Sequence, residues 1–221
     1  MAADPNRPSL LPPAIAEYIA ARTAPADDAL RALQERTAAL GRAARMQIGA
    51  DQGVLMTMLT RLVGARLAVE VGTFTGFSSI CIARGLKPDG RLLCCDVSEE
   101  YTAIARQAWV EAGVADRIEL RVAPALDTLQ VLPTDPTIDL VFIDADKGGY
   151  AAYYGELVPR VRPGGLLLAD NTLWSGRVVD DSATDDDSVA IRAFNDLVAA
   201  DDRVESYILP VGDGLTLIRK R

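Results

Sequence analysis

From about residue 65 onward, short apolar runs alternate with stretches whose apolar residues recur every three or four positions. R-L-A-V-E-V (66–71), R-L-L-C-C-D (91–96), R-I-E-L-R-V (117–122), I-D-L-V-F-I-D (138–144) and G-L-L-L-A-D (165–170) read as strands. F-S-S-I-C-I-A-R-G-L (77–86), E-Y-T-A-I-A-R-Q-A-W (100–109), a short A-L-D-T-L-Q-V-L (125–132) and Y-A-A-Y-Y-G-E-L-V-P-R-V (150–161) read as the helices between them. The strand runs show little polar alternation, as expected where helices cover both faces of a sheet. The pattern predicts a doubly wound α/β fold built on a parallel sheet.

Both ends depart from that alternation. Upstream, P-P-A-I-A-E-Y-I-A-A-R predicts a short helix with prolines in its first turn, Asp27 to Leu40 a second that Gly41 ends, and Asp51 to Val63 a third. Downstream of Asn171, T-L-W-S-G-R-V-V-D-D-S-A-T-D-D-D-S reads as a polar loop, followed by the helix S-V-A-I-R-A-F-N-D-L-V-A-A. R-V-E-S-Y-I-L-P and L-T-L-I-R-K then predict a hairpin on a G-D-G turn, which places one antiparallel strand in the sheet. The acidic run Asp185, Asp186, Asp187 fits the first turn of the helix that follows it.

Composition narrows the reading. A chain of 221 residues, 49% hydrophobic and without repeats or low-complexity linkers, is expected to form a single domain spanning 1–221. The net charge of −8 suits a soluble protein and argues against a large nucleic-acid face. No apolar run reaches the roughly 18 residues of a membrane span, and M-A-A-D-P-N-R-P lacks the basic start and apolar centre of a signal peptide. A cytoplasmic protein with no membrane contact is expected. Cys81, Cys94 and Cys95 fall inside predicted elements, where they read as core thiols, with the adjacent pair on opposite faces of a strand.

Candidate chemistry gathers at strand ends. In an open parallel sheet, ligands bind beyond the carboxyl ends of the strands, and E-V-G-T-F-T-G (70–76) stands there after the first strand. Gly72 and Gly76 permit a tight turn and close approach of backbone to a ligand. Their spacing is not G-x-G-x-x-G, which weakens a dinucleotide reading. Glu70 instead suits a ligand with a cationic group, such as the ammonium of S-adenosylmethionine. Asp96, ending the second strand, stands where it could accept both ribose hydroxyls.

A further group closes the fourth and fifth strands, where F-I-D-A-D-K and L-L-L-A-D-N bring Asp144, Asp146, Lys147, Asp170 and Asn171 to one rim. Carboxylates sharing a cleft repel one another unless a cation joins them. The chain has no histidine, and the oxygen donors of Asp144, Asp170 and Asn171 favour a hard cation, Mg²⁺ before Ca²⁺ or Mn²⁺. A phenol with a pKa near 10 is about one part in a thousand ionised at neutral pH. A divalent ion holding two adjacent hydroxyls would favour the anion, and Lys147 could take the proton before in-line displacement at the sulfonium carbon.

E-V-G-T-F-T-G-F-S-S, F-I-D-A-D-K-G-G-Y-A-A-Y-Y, R-P-G-G-L-L-L-A-D-N-T-L-W-S-G-R-V and L-P-V-G-D-G-L-T-L together resemble the cation-dependent class I O-methyltransferases of the caffeoyl-CoA and catechol type. The likeness runs from about Met46 to the C-terminus, which leaves residues 1–45 as a helical extension. It implies a Rossmann-like sheet of seven strands with the last antiparallel, S-adenosylmethionine as methyl donor, and a homodimer. Matched position by position, it implies Asp144, Asp170 and Asn171 as metal ligands; from the chemistry above, Lys147 and Asp144 are the expected catalytic residues. It implies that Glu70, Gly72, Thr73, Ser78, Asp96, Ala125, Asp146 and Tyr153 line the donor site, with Met46 and Ile48 nearby.

Two positions depart from the family. Ala123 stands where it usually has glycine, and Ser175 stands at a substrate-facing position often asparagine in the plant enzymes. The expected activity is divalent-metal-dependent methyl transfer to a hydroxyl of a small catechol-like or hydroxycinnamoyl acceptor. Two alternatives are a tRNA hydroxyuridine O-methyltransferase, for which Arg36, Arg42 and Arg45 could form a local basic patch, and a donor-binding protein without catalysis.

Overall fold

The structure is a computed structural model and describes residues 11–221. M-A-A-D-P-N-R-P, on which the expectation of no signal peptide rests, lies outside the described residues. Strands β1 (Leu67–Val71), β2 (Arg91–Asp96), β3 (Ile118–Val122), β4 (Ile138–Ile143), β5 (Val161–Ala169), β6 (Val204–Leu209) and β7 (Leu215–Lys220) form one seven-stranded sheet in the order β3-β2-β1-β4-β5-β7-β6. The pairings among β1 to β5 are parallel. β7 is antiparallel to both β5 and β6, so the last strand is the inverted one, as the terminal hairpin predicts.

Helices α1 (Pro13–Ala20), α2 (Asp28–Ala38), α3 (Ala50–Val63), α4 (Phe77–Gly85), α5 (Glu99–Glu111), α6 (Ala125–Gln130), α7 (Tyr150–Leu157) and α8 (Asp186–Ala199) surround the sheet. Their starts are written in capping residues. Asp27 accepts from the Leu30 N–H, Ser98 from Tyr101 and Asp185 from Ser188, at 3.1, 3.2 and 3.1 Å. Each such cap stabilises its helix by about 1 kcal/mol.

The period-two alternation of each strand sends its side chains to two cores. Ala68, Leu92, Cys94, Leu140 and Phe142 pack with Leu33, Met56, Phe77, Ile80 and Trp109 under α2 to α5. Val69, Val71, Cys95, Val141 and Ile143 pack with Leu129, Tyr150, Leu157 and Phe194 under α6 to α8. Cys94 and Cys95 thus face opposite ways, and all three cysteines are free and buried. Leu30 and Leu33 of α2 belong to the first core, so this part of the N-terminal extension packs with the rest of the chain. Among the described residues no helix is long and apolar enough to cross a membrane.

The passage from α7 to β5 differs from the pattern-based expectation. α7 stops at Leu157, and β5 begins at Val161 instead of Gly165. Asp139 explains the early strand: its carboxylate accepts from the Arg66 and Leu67 N–H groups at 2.7 and 2.9 Å and pairs with Arg162 at 2.5 Å. That anchor pins R-P-G-G to β4 through a register shift between Ile138 and Leu140, at which Gly164 takes φ +76°. Residues 174–179, within the stretch read as loop, form a 3-10 turn, and residues 41–46 form another. Both turns border the cleft described next.

Candidate active site

β1 and β4 are neighbours whose connections leave in opposite directions, so a crevice opens beyond their carboxyl ends. A cleft of about 1230 Å³ lies there. A single small-molecule pocket is roughly 300–1,000 Å³, so this cleft has room for a donor and an acceptor together.

One half is built on the turn after β1. Gly72 (φ +91°) is required because a Cβ would stand 2.0 Å from the Asp144 carbonyl oxygen. Gly76 (φ +88°) is required because a Cβ would meet the Trp109 ring nitrogen at 2.7 Å and Ala105 Cβ at 2.8 Å. The close approaches these glycines allow are to neighbouring chain segments, where the sequence suggested a ligand. Asp96 locks the turn: its Oδ2 accepts from the Thr73 and Phe74 N–H groups at 2.9 and 2.8 Å, and its Oδ1 from Ser98 at 2.9 Å. A carboxylate has about four lone-pair sites, so Asp96 keeps acceptor capacity toward the cleft, which it lines.

Gly72, Thr73, Ser78, Asp96, Ala125, Asp146 and Tyr153 all line this cleft, and Met46, at the end of the 3-10 turn before α3, and Ile48, just after it, reach it too. The Tyr153 hydroxyl donates to Asp146 Oδ1 at 2.5 Å, fixing that carboxylate at the rim. Phe74 and Tyr101 meet edge to face at 4.8 Å and add an aromatic wall.

Glu70 is placed differently. It has no exposed surface and is not among the lining residues; it shares a face of β1 with Ala68 and points beneath α4. Its Oε2 accepts from Thr73 Oγ1 at 3.1 Å and Cys94 Sγ at 3.2 Å, while Oε1 is buried without a partner. Burial raises its pKa to about 7, against the neighbouring Ser78 hydroxyl and the hydrogen bonds from Cys94 and Thr73, which lower it. Thr73 and Ser78 therefore stand between this carboxyl and the cleft.

A stability prediction follows from the sign of that shift. Because the folded state holds the proton more tightly than the unfolded chain, the benefit is complete below the ordinary carboxyl pKa and is lost as pH rises through about 7. Glu70→Gln stays neutral throughout. In urea unfolding without donor, its stability relative to the parent should rise by up to about 3 kcal/mol between pH 4.5 and 8. Parallel pH curves for the two proteins would show that Glu70 does not titrate in this range.

The other half of the cleft floor joins β4 to β5. Asp170 is 4% exposed, its Oδ1 buried without a partner, and its carboxyl is held above the usual range by burial and the neighbouring charge of Asp144. Lys147 Nζ reaches Asp144 Oδ1 at 3.2 Å and donates to the Tyr150 hydroxyl at 2.7 Å, and that hydroxyl donates to the Asp170 carbonyl at 3.1 Å. Asn171 follows with a left-handed backbone, φ +57°, and lines the cleft with Ser175. Lys147 is 8% exposed, too buried for a plain surface ion pair.

Among the lining or supporting residues that escaped the sequence reading are Gln52, Tyr101, Tyr150, Trp174 and Asp213. Only Asp213 had a local signal, the G-D-G turn, which reads as hairpin chemistry and not as part of a cleft. Of the proposed basic patch, Arg36 is engaged by Glu111 at 2.5 Å, whereas Arg42 and Arg45 stand at the cleft mouth. Asp185 accepts from Ser188 and pairs with Arg177, in keeping with a helix start.

Comparison with known proteins agrees with this geometry. A family model described as O-methyltransferase matches residues 20–221. A probable caffeoyl-CoA O-methyltransferase 2 of Dictyostelium discoideum is 43% identical over 175 residues, 77% of this chain and 76% of that one. Caffeoyl-CoA O-methyltransferase 2 of Zea mays is 40% identical over 185 residues, 79% of this chain and 70% of that one. The crystal structure of an O-methyltransferase from Bacillus cereus in complex with SAH superposes with a TM-score of 0.86 at 33% identity, covering 94% of this chain and 97% of that chain. This chain belongs to the O-methyltransferase family and is an S-adenosylmethionine-dependent O-methyltransferase.

Proposed function

We propose that the enzyme methylates a hydroxyl of a small catechol-like or hydroxycinnamoyl acceptor, and that it does so with a divalent cation held by Asp144, Asp170 and Asn171. The observation that carries this reading is the pair Asp144 and Asp170, closely placed, with a buried and unpartnered Oδ1 on Asp170. Two such carboxylates with an adjacent amide fit a hard cation, Mg²⁺ before Ca²⁺ or Mn²⁺. Among the described residues no group of three or more His, Cys, Asp or Glu gathers for a metal, so the set depends on the Asn171 amide as third ligand. When bound, the cation would lower the pKa of the acceptor hydroxyl and stabilise the resulting anion.

The chain's own groups account for the rest. Asp96 offers its one remaining lone-pair site to a ribose hydroxyl of the donor, while Thr73, Ser78, Ala125, Asp146, Tyr153, Met46 and Ile48 shape the donor's seat. Glu70, behind Thr73 and Ser78, has no direct exposure to the cleft and orders the turn from beneath through Thr73. Lys147 Nζ, oriented by Tyr150, stands where it could receive the acceptor's proton in its unprotonated form. Trp174 and Ser175 would bound the acceptor side. The enzyme acts as a homodimer in this reading, with exposed Met58 and Leu62 of α3 as apolar surface available for a partner.

A screen with labelled donor tests the acceptor class. A vicinal diphenol should turn over at least tenfold faster than its monophenol analogue, which offers only one oxygen. Hypomodified tRNA should remain unlabelled, because Arg36 is already paired and leaves only Arg42 and Arg45 at the mouth. Labelling of tRNA above the diphenol would replace this reading with the RNA-modifying one.

A further inference from the structure

Residues 171–176 carry an unusual backbone. Asn171, Trp174 and Ser175 have φ of +57°, +44° and +53°, and Gly176 has +79°. Left-handed non-glycine residues each carry a conformational cost and persist where the surroundings over-determine them. The chain opposite is the turn between β6 and β7. The Gly214 carbonyl accepts from the Thr172 N–H at 3.0 Å and from its hydroxyl at 3.2 Å, and the Asp213 carbonyl accepts from the Leu173 N–H at 3.0 Å. Gly214 admits this approach because a Cβ there would stand 2.6 Å from the Leu173 nitrogen.

The Asp213 side chain extends the same attachment to the far end of the segment. It is 7% exposed, its Oδ1 accepts from the Ser175 N–H, and its Oδ2 lies 3.4 Å from the Ser175 hydroxyl. Burying a carboxylate is costly unless it is bonded, and here its bonds go to the residue whose backbone is left-handed. Asn171, one of the candidate cation ligands, immediately precedes the first attachment, and Trp174, whose ring centre is 5.7 Å from Lys147 Nζ, lies between the two.

We propose that Asp213 is a positioning residue for the acceptor side: its carboxylate, bonded to Ser175, holds residues 171–176 in their left-handed path and so keeps Trp174 set against Lys147 and Asn171 turned to the cleft. Asp213 touches neither donor nor reacting atoms in this arrangement. The inference rests on the reading of that half of the cleft as the acceptor and cation side, and its test separates the two.

Asp213→Ala and Asp213→Asn are compared with the parent in three measurements on the full chain: donor affinity, Mg²⁺ affinity by calorimetry, and acrylamide quenching of tryptophan fluorescence. Trp109 is only 3% exposed, so quenching reports mainly on Trp174. In Asp213→Ala, donor affinity should stay within twofold, Mg²⁺ affinity should fall at least tenfold and quenching should rise. Kinetics with a vicinal diphenol should show KM rising more than kcat falls. Asp213→Asn retains an oxygen for the Ser175 N–H and should recover each value to within about threefold of the parent. If Asp213→Ala does not fold, the asparagine variant decides alone: a loss of tenfold or more there would mean that the charge, not the attachment, matters, and would overturn the proposal. Unchanged quenching in a folded alanine variant would overturn it as well. Raised quenching with unchanged Mg²⁺ affinity and unchanged diphenol kinetics would uphold the attachment and refute positioning of the cation side, and the diphenol screen above would then show independently whether the acceptor reading stands.

Discussion

Treatment with a chelator should lower methyl transfer to a vicinal diphenol by about 10³-fold, and Mg²⁺ should restore it. The magnitude follows from the several kcal/mol of charge stabilisation a bound cation supplies, with a tenfold rate change for each 1.36 kcal/mol, roughly. Without a cation, Asp144 and Asp170 present two carboxylates to an acceptor that must itself become an anion, and Lys147 is the positive charge left beside them. Donor affinity should be unchanged, because Asp96, Thr73 and the turn after β1 are held by protein hydrogen bonds alone. The double variant Asp170→Ala with Asn171→Ala should match the stripped enzyme and gain nothing from added Mg²⁺. Full activity of the parent in metal-free buffer, with the metal content verified, would remove the chelation mechanism.

How much of this arrangement could be read in the chain itself depends on the range of the interactions involved. The strands were legible because a sheet covered on both faces leaves short apolar runs that no other local structure explains. Cys94 and Cys95 were correctly sent to opposite faces by the same period. Asp96, Asp144 and Asp170 were legible because each stands at or just beyond the end of a strand, and topology makes such ends converge. The period also held information about Glu70: two positions after Ala68, it had to share that residue's buried face, and its place in the motif obscured this. The 3-10 turns at 41–46 and 174–179 have no apolar period to announce them. Gln52 and Asp213 take their importance from segments far away in sequence, which spacing alone does not reveal.

Replacing Lys147 should separate proton removal from charge neutralisation at the reacting oxygen. Nζ lies 3.2 Å from Asp144 and 2.7 Å from the Tyr150 hydroxyl, in a side chain only 9% exposed, so its position is set by the protein and not by solvent. A positioned general base contributes about 10²–10⁴-fold, and Lys147→Ala should lower kcat for a diphenol by that amount while donor affinity holds. The remaining reaction would depend on acceptor already ionised. Its rate should therefore climb toward tenfold per pH unit below the pKa of the bound acceptor, which the cation would set under the free phenol's value near 10, while the parent profile stays flatter. Lys147→Arg discriminates further, since a guanidinium retains the positive charge but does not give up its proton in proteins, with a pKa above about 12. If Lys147 acts as the base, arginine should be nearly as slow as alanine and show the same steep profile. Recovery of the parental rate in Lys147→Arg would assign the side chain to electrostatic support of the acceptor anion, and a flat profile in Lys147→Ala would place the base elsewhere.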